Sequence, residues 1–360
     1  MKKTNNVTKT SLIINKEAKL FANAANKIGA FGVAYDGMSF EAVTSAIRIM
    51  MRVEEGEQIA PITLPMSALS YLSAFPDGSK AIITVADNKV VIAVGRSKTT
   101  LTSLGVATVP PQPKAGSLSV ELSTEMLEKI KKVATAAVTK ATKPVSTTLF
   151  IAESNGRMIA HAIDGYHLAV ADVGNTPAGF DVRIPKQEFL TVYPFIKGGC
   201  TCVVSDDNRK AIFESESIKA SINMMDCNPI DFKSVMTQAK QNSVEFTVNP
   251  GELEESIKRL ARFAPSNHAP ILHLKIEEDA LTAVAPFPNY YGEEEVPIKP
   301  VGNCDAEERK KTIGVNANYL LDALSVMEGV VTIHYRTPVT PIFLTDGNIE
   351  YIVVPCRILG

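Results

Sequence analysis

SLSVELSTEMLEKIKKVATAAV, residues Ser117–Val138, decides how this chain is read, because the same phrase occurs twice more. SLIINKEAKLFANAANKI runs from Ser11 to Ile28, and SVEFTVNPGELEESIKRLARFA from Ser243 to Ala264. Each copy is a short strand-like run leading into an amphipathic helical pattern. In the middle copy Ile130, Val133, Ala134, Ala137 and Val138 recur at the spacing of one buried stripe. Ser123 or Thr124 stands where an N-cap belongs, Glu128 adds acid to the first turn, and Lys143-Pro144 closes the pattern. The copies lie roughly 110 to 125 residues apart, against a solenoid period of about 20 to 50, so each is the size of a domain.

The elements after each copy keep a common order. Beyond the middle one, STTLFIAESNGRMIAHAIDGYHLAVADV gives two strand-rich runs split by Asn155-Gly156, a hairpin signal. A second helix is expected after Pro185 in PKQEFLTVYPFI, then strands in CTCVVSDDNRKAIFES and SIKASINMMD. The first copy places its second helix at PMSALSYLSAF and the third at NANYLLDALSVM. Breaks fall near Pro110–Gly116 and Thr237–Asn242, dividing the chain into domains 1–112, 117–238 and 243–360. The fold class is α+β, two helices packed on one face of a sheet in each domain. Strand pairing order does not follow from the pattern. Three like domains in series make an arc, and an arc that meets its twin can close into a ring.

Composition (45% hydrophobic, 21% charged, no Trp) is that of an ordinary globular protein, with no stretch approaching a membrane span. The basic N-terminus lacks the apolar core of a signal peptide, so a cytoplasmic protein is expected. Cys200, Cys202, Cys227, Cys304 and Cys356 are scattered in apolar contexts and read as reduced structural thiols. No phosphate-cradling loop, dinucleotide fingerprint or nucleophile elbow is present. His268 and His273 are not spaced as a helical metal pair, and Asp164-Gly165 reads as a turn. No active site, metal or cofactor is expected. An α+β enzyme is the remote alternative.

The formal charge is −2, yet the leading helices are the basic part of the chain. Lys16, Lys19 and Lys27 outnumber Glu17 in the first. Lys129, Lys131, Lys132, Lys140 and Lys143 outnumber Glu125 and Glu128 in the second, whereas Lys258, Arg259 and Arg262 are balanced by acids in the third. The second helices add little beyond Lys186 and Lys197. Such runs are most often solvated faces; the other reading is a weakly basic lining for a phosphate backbone, which attracts without reading sequence.

HAIDGYHLAV (His161–Val170) followed by VRIPKQEFL (Val182–Leu190) resembles the middle domain of the bacterial DNA polymerase III β sliding-clamp family. VGRSKTTLTSLG (Val94–Gly105) is similar to the strand closing that family's first domain, and NANYLLDALSVM with YIVVPCRI (Tyr351–Ile358) to its third domain and C-terminus. The resemblance covers nearly the whole chain in register with the repeats. It implies a head-to-tail homodimer, a closed ring of six domains around double-stranded DNA, with helices lining the hole and sheets forming the shell. Such a ring tethers a replicative polymerase and is placed on DNA by a clamp loader. The lining positions are then Lys16, Lys19, Lys27, Lys129, Lys132, Lys140, Lys143, Lys186, Arg259 and Arg262.

The resemblance also implies an apolar cleft for short linear peptides of partner proteins. Its positions here are Val145, Ile163, Gly165, Tyr166, His167 and Leu168, then Ile230, Ser234 and Val235, then Ile352, Val353, Val354 and Pro355. Ile163 replaces a threonine of the family pattern, Tyr166-His167 a histidine-arginine pair, Ser234 an arginine and Val354 a methionine. At the ring seam the matching positions are Tyr71, Phe75, Lys98, Thr100, Leu101 and Leu104 against Ala264 and Pro265. Met66-Ser67 stands where the family carries basic residues. A divergent paralogue acting as a docking hub, or as competitor of a host clamp, is the alternative reading.

Overall fold

The structure is a computed structural model and describes residues 8–86, 89–241, 244–266, 268–277, 279–301 and 311–358. Cys304 and the expected boundary residues Asn242 and Ser243 lie outside the described residues. Seven described α-helices are α1 (Lys16–Lys27), α2 (Met66–Ser73), α3 (Thr124–Val133), α4 (Lys186–Ile196), α5 (Phe232–Lys240), α6 (Pro250–Ala261) and α7 (Ala317–Leu324).

Contacts gather into two compact units, Met1–Leu127 with Gln187–Met224 and Glu128–Lys186 with Met225–Gly360. The first unit holds a four-stranded sheet and an eight-stranded sheet, both antiparallel between neighbours. In the larger sheet Ile47–Arg52 pairs with Ile218–Asn223, a strand from the first repeat with one from the second. The second unit holds a twelve-stranded sheet. There His167–Asn175 pairs with Ile349–Val353, joining the second repeat to the third. The strands of the middle repeat are thus shared between the two units, because strands that would otherwise be open edges find partners in neighbouring repeats.

The helices form where the apolar spacing places them. In the first unit α1 buries Phe21, Ala22, Ala24 and Ala25, and α2 buries Ala68, Leu69 and Leu72; these two helices pack together. The small alanines let the backbones approach closely. In the second unit α6 packs on α7; α6 buries Leu253, Ile257 and Leu260, and α7 buries Leu320, Ala323 and Leu324. Asn15, Asn249 and Asn316 cap α1, α6 and α7 by accepting backbone N–H bonds, and Ser123 Oγ accepts from Met126 N at 3.3 Å to cap α3. Asn155 (φ 55°) and Gly156 (φ 76°) form the expected two-residue hairpin turn.

One local expectation needs correction. The middle leading helix stops at Val133, followed by a 3₁₀ turn over Ala134–Ala136, so the stripe does not run on to Val138 and Lys143. Thr135 Oγ1 donates back to Lys132 O (2.7 Å), and the Lys186 ammonium donates to Thr135 O (3.3 Å) and Ala137 O (2.5 Å). Ala137 is already extended (ψ 154°), and those carbonyls, lost to the helix, are satisfied from outside it. Helix α5, which the sequence reading did not place, runs into the stretch Thr237–Asn242 where the break before the third domain was expected.

Candidate functional site

The turn between strands Arg157–Ile163 and His167–Asn175 is built by one carboxylate. Asp164 Oδ1 accepts from Tyr166 N (2.8 Å) and His167 N (3.0 Å), and Gly165 supplies the positive φ of 100°. The C-terminal strand docks beside it: Val354 N donates to Tyr166 O at 2.8 Å, and Leu168 lies opposite Ile352 and His167 opposite Val353. Ser146 Oγ donates to Asp164 O at 3.5 Å, which sets the 3₁₀ turn Pro144–Thr147, and with it Val145, against the same turn. The structure therefore brings together the segments that the sequence assigned to the cleft.

Their exposure differs from the expectation of an open slot. Leu168 and Ile352 are each 2% exposed and Val353 is fully buried. Leu168, Val170, Phe343 and Ile352 form one cluster with Met236 and Ala239 of α5, while Ile159, Ile163, Phe232 and Val235 pack at its margin. So the floor is covered by α5. The exposed rim consists of Gly165, Tyr166, Ile230, Ser234 and Val354, with Val145, Ile163, Val235 and Pro355 half-buried. The spacing Phe232, Val235, Met236, Ala239 behind an Asp231 cap was the available signal for α5. Tyr319 of α7 also belongs here: its ring stacks on Tyr166, 5.7 Å between centroids and 11° between planes.

Beneath the turn His167 is buried on the opposite face of the sheet from Leu168. Its Nδ1 lies 2.7 Å from Asp164 Oδ1 and its Nε2 3.4 Å from Asp322 Oδ2, the second an ion contact with poor hydrogen-bond alignment. Burial opposes the charged ring, but the two carboxylates outweigh it and hold the His167 pKa above the usual histidine value. Burial likewise opposes ionisation of Asp164, yet hydrogen bonds from His167 and the Tyr166 amide hold its pKa below the usual carboxylate range.

The cationic positions divide into exposed groups and groups held by named partners. Lys16, Lys27, Lys140, Lys143 and Arg262 are exposed, Lys140 and Lys143 standing in the segment after α3 and not on it; Lys129 is half-buried. Lys19 pairs with Asp77 (2.6 Å), Lys132 with Glu328 (2.6 Å) and Arg259 with Glu294 (Nε to Oε1, 2.8 Å). Lys186 is the clear correction: its half-buried ammonium closes the end of α3, and burial lowers its pKa, so it does not stand free for a phosphate.

Of the seam positions in the first unit, Lys98, Thr100 and Leu101 lie on Ser97–Thr102, the edge strand of the four-stranded sheet. Tyr71 and Phe75 meet edge to face at 5.0 Å, and Leu104 is exposed. In the second unit Ala264 and Pro265 are half-buried beside Phe263, which is 52% exposed and stacks on Tyr290 at 3.7 Å. Phe263 and Tyr290 were missed by the sequence reading, although an exposed phenylalanine stacked on a half-buried tyrosine is the stronger apolar feature there.

No family model and no curated protein matches the chain in sequence. Solved structures do match over nearly its whole length. The DNA polymerase III β subunit of Thermotoga maritima is 19% identical, covers 98% of this chain and 100% of its own, and superposes with a TM-score of 0.84. The Pseudomonas aeruginosa sliding clamp bound to griselimycin is 19% identical, with 98% and 100% covered and a TM-score of 0.83. The C. crescentus β sliding clamp, with polyethylene glycol at a region proposed to tether β-motifs, is 20% identical, with 97% and 99% covered and a TM-score of 0.79. The chain has the fold of the bacterial DNA polymerase III β subunit, the sliding clamp.

Proposed function

We propose that the protein is a DNA sliding clamp: a cytoplasmic homodimeric ring of three domains per chain (1–112, 117–238 and 243–360) that encircles double-stranded DNA and has no reaction of its own. The observation that carries this reading is the match to a β subunit across 98% of this chain and 100% of the other. A match of that extent takes in all three repeats. Processivity then comes from topology, and weak sequence-independent phosphate contacts permit sliding. The edge strand Ser97–Thr102 supplies one side of the seam, and Phe263 with Tyr290 strengthens the side that carries Ala264 and Pro265. The rim formed by Tyr166, Ile230 and Val354 is where a polymerase, a loader or another partner inserts a short apolar peptide.

The test is retention on DNA of defined topology. The loaded protein stays on closed or nicked circles through a high-salt wash and runs off when the circle is linearised; sedimentation gives a dimer at micromolar concentration. Equal loss from circular and linear DNA, or a monomer, overturns the reading. The ion-paired state of Lys19, Lys132 and Arg259 favours a second reading, a docking hub that holds DNA poorly and competes for partner peptides. Under that reading griselimycin binds while circular DNA is not retained.

A further inference from the structure

His167 is buried between two carboxylates that arrive from different parts of the chain. Asp164 belongs to its own turn, and Asp322 to α7. Tyr319, also on α7, lies over the imidazole at 4.6 Å between centroids, and Tyr351 of the C-terminal strand at 5.8 Å. Among the described residues a further charged group is Lys186, whose ammonium acts on both Asp164 and Asp322 from the start of α4. Tyr351 is held neutral by burial, its hydroxyl 3.5 Å from Thr135 Oγ1, and the Tyr319 and Cys356 pKa values are raised by burial as well. Two carboxylates, one ammonium and one imidazolium balance. Remove the imidazole proton and the cluster keeps an uncompensated negative charge in a low-dielectric site, which is unfavourable.

Deprotonation also has a direction in space. A neutral imidazole keeps one N–H, which the close Asp164 contact at 2.7 Å retains. The Nε2 lone pair then faces Asp322 Oδ2 at 3.4 Å, so attraction to α7 becomes repulsion. The elements so affected are those carrying the docking rim: the turn with Gly165 and Tyr166, the Tyr166–Tyr319 stack, and the strand end at Val354 held by Tyr166 O.

We infer that protonated His167 is a positioning residue, an ionic bolt between the turn and α7 that makes peptide docking weaken as pH rises. This rests on the docking reading above for its ligand but not for its mechanics. The experiment tracks the His167 imidazole by NMR from pH 5.5 to 8.5, with hydrogen-exchange protection factors for residues 163–168 and α7, and griselimycin affinity measured in parallel. His167 titrates above the ordinary histidine value, protection falls through that titration, and affinity drops about fivefold, the low end of a coupling between sites. Asp322→Asn, which leaves His167 in place, lowers its titration and flattens both profiles. A His167 that titrates at or below the ordinary value overturns the inference, as does an Asp322→Asn protein with the same pH slopes as the parent. Should griselimycin bind at no pH while protection still tracks His167, the bolt stands and the docking reading falls.

Discussion

Two strand junctions join neighbouring repeats, one in each unit, and they are alike in pairing but not in what surrounds them. Ile47–Arg52 meets Ile218–Asn223 with Ile49 opposite Ala220 and Met51 opposite Ile218, all buried. Its buried charged member, Arg48, opposes Ser221 and is locked by Glu41 and Pro110 O. An arginine stays charged at any ordinary pH, so that junction has one state. His167–Asn175 meets Ile349–Val353 with Leu168 opposite Ile352, but its buried titratable member is a histidine, and a separate helix, α5, lies on its other face. The first junction is built to stay fixed. The second has two adjustable parts, and they flank the only rim to which the sequence assigned a ligand.

The strongest way to break this contrast is to place a charge at the centre of each junction. Ala220→Asp and Leu168→Asp each bury a carboxylate with no partner, at positions 0% and 2% exposed, and each is expected to lose about 3–5 kcal/mol in urea unfolding at neutral pH. A Leu168→Asp protein of normal stability would mean that α5 leaves the slot floor open to water.

The next largest effect comes from a second histidine in the same sheet. His161 lies between Phe150 (4.7 Å) and Phe232 (4.5 Å), with neither ring nitrogen bonded, and burial pulls its pKa down to about 4. Because the folded pKa is depressed, its neutral form favours folding above the unfolded value of 6.5, and that contribution is lost as pH falls toward 4. The gap corresponds to roughly 3 kcal/mol. His167, with a raised pKa, has the opposite sign: its contribution is present below 6.5 and lost as pH rises. His161→Phe should remove the loss of stability on the acid side while leaving the alkaline side unchanged, read as unfolding free energy against pH.

The division between what the sequence revealed and what it hid tracks the range of the interactions. The strand-to-helix phrase, the Ser123 cap and the Asn155-Gly156 turn are local, and each is where the residues place it. The early end of α3 was hidden because the group that satisfies its carbonyls, Lys186, lies about fifty residues away, as the sequence separations of 51 and 49 record. The commitment of Lys132 depends on Glu328, 196 positions on, and no charge count along a helix could contain it. The cleft residues were recognisable as a set, but their burial was not, since it is imposed by α5.

That helix offers the third test. Met236 is 5% exposed against Phe343 and Ile352, so Met236→Ala should cost about 2–3 kcal/mol, toward the low end for a buried methionine because the helix rim is partly wet. The loss should show as reduced exchange protection in α5 and in strand Ile349–Val353, with Ile47–Arg52 unaffected. Equal loss at both junctions would mean that the two units unfold as one and that α5 is ordinary core.

The smallest effect bears on DNA and on the division between exposed and ion-paired lysines. Glu328 is 77% exposed and its pair with Lys132 is 2.6 Å long, so Glu328→Gln should change stability by less than about 1 kcal/mol. It does release one ammonium on α3. If that face meets the phosphate backbone, the dependence of log K on log salt should steepen by about 0.9 for the one added contact. An unchanged slope would place Lys132 away from DNA, while a steeper slope with unchanged stability would show that this acid side chain weakens the grip, as the proposed sliding contact would require.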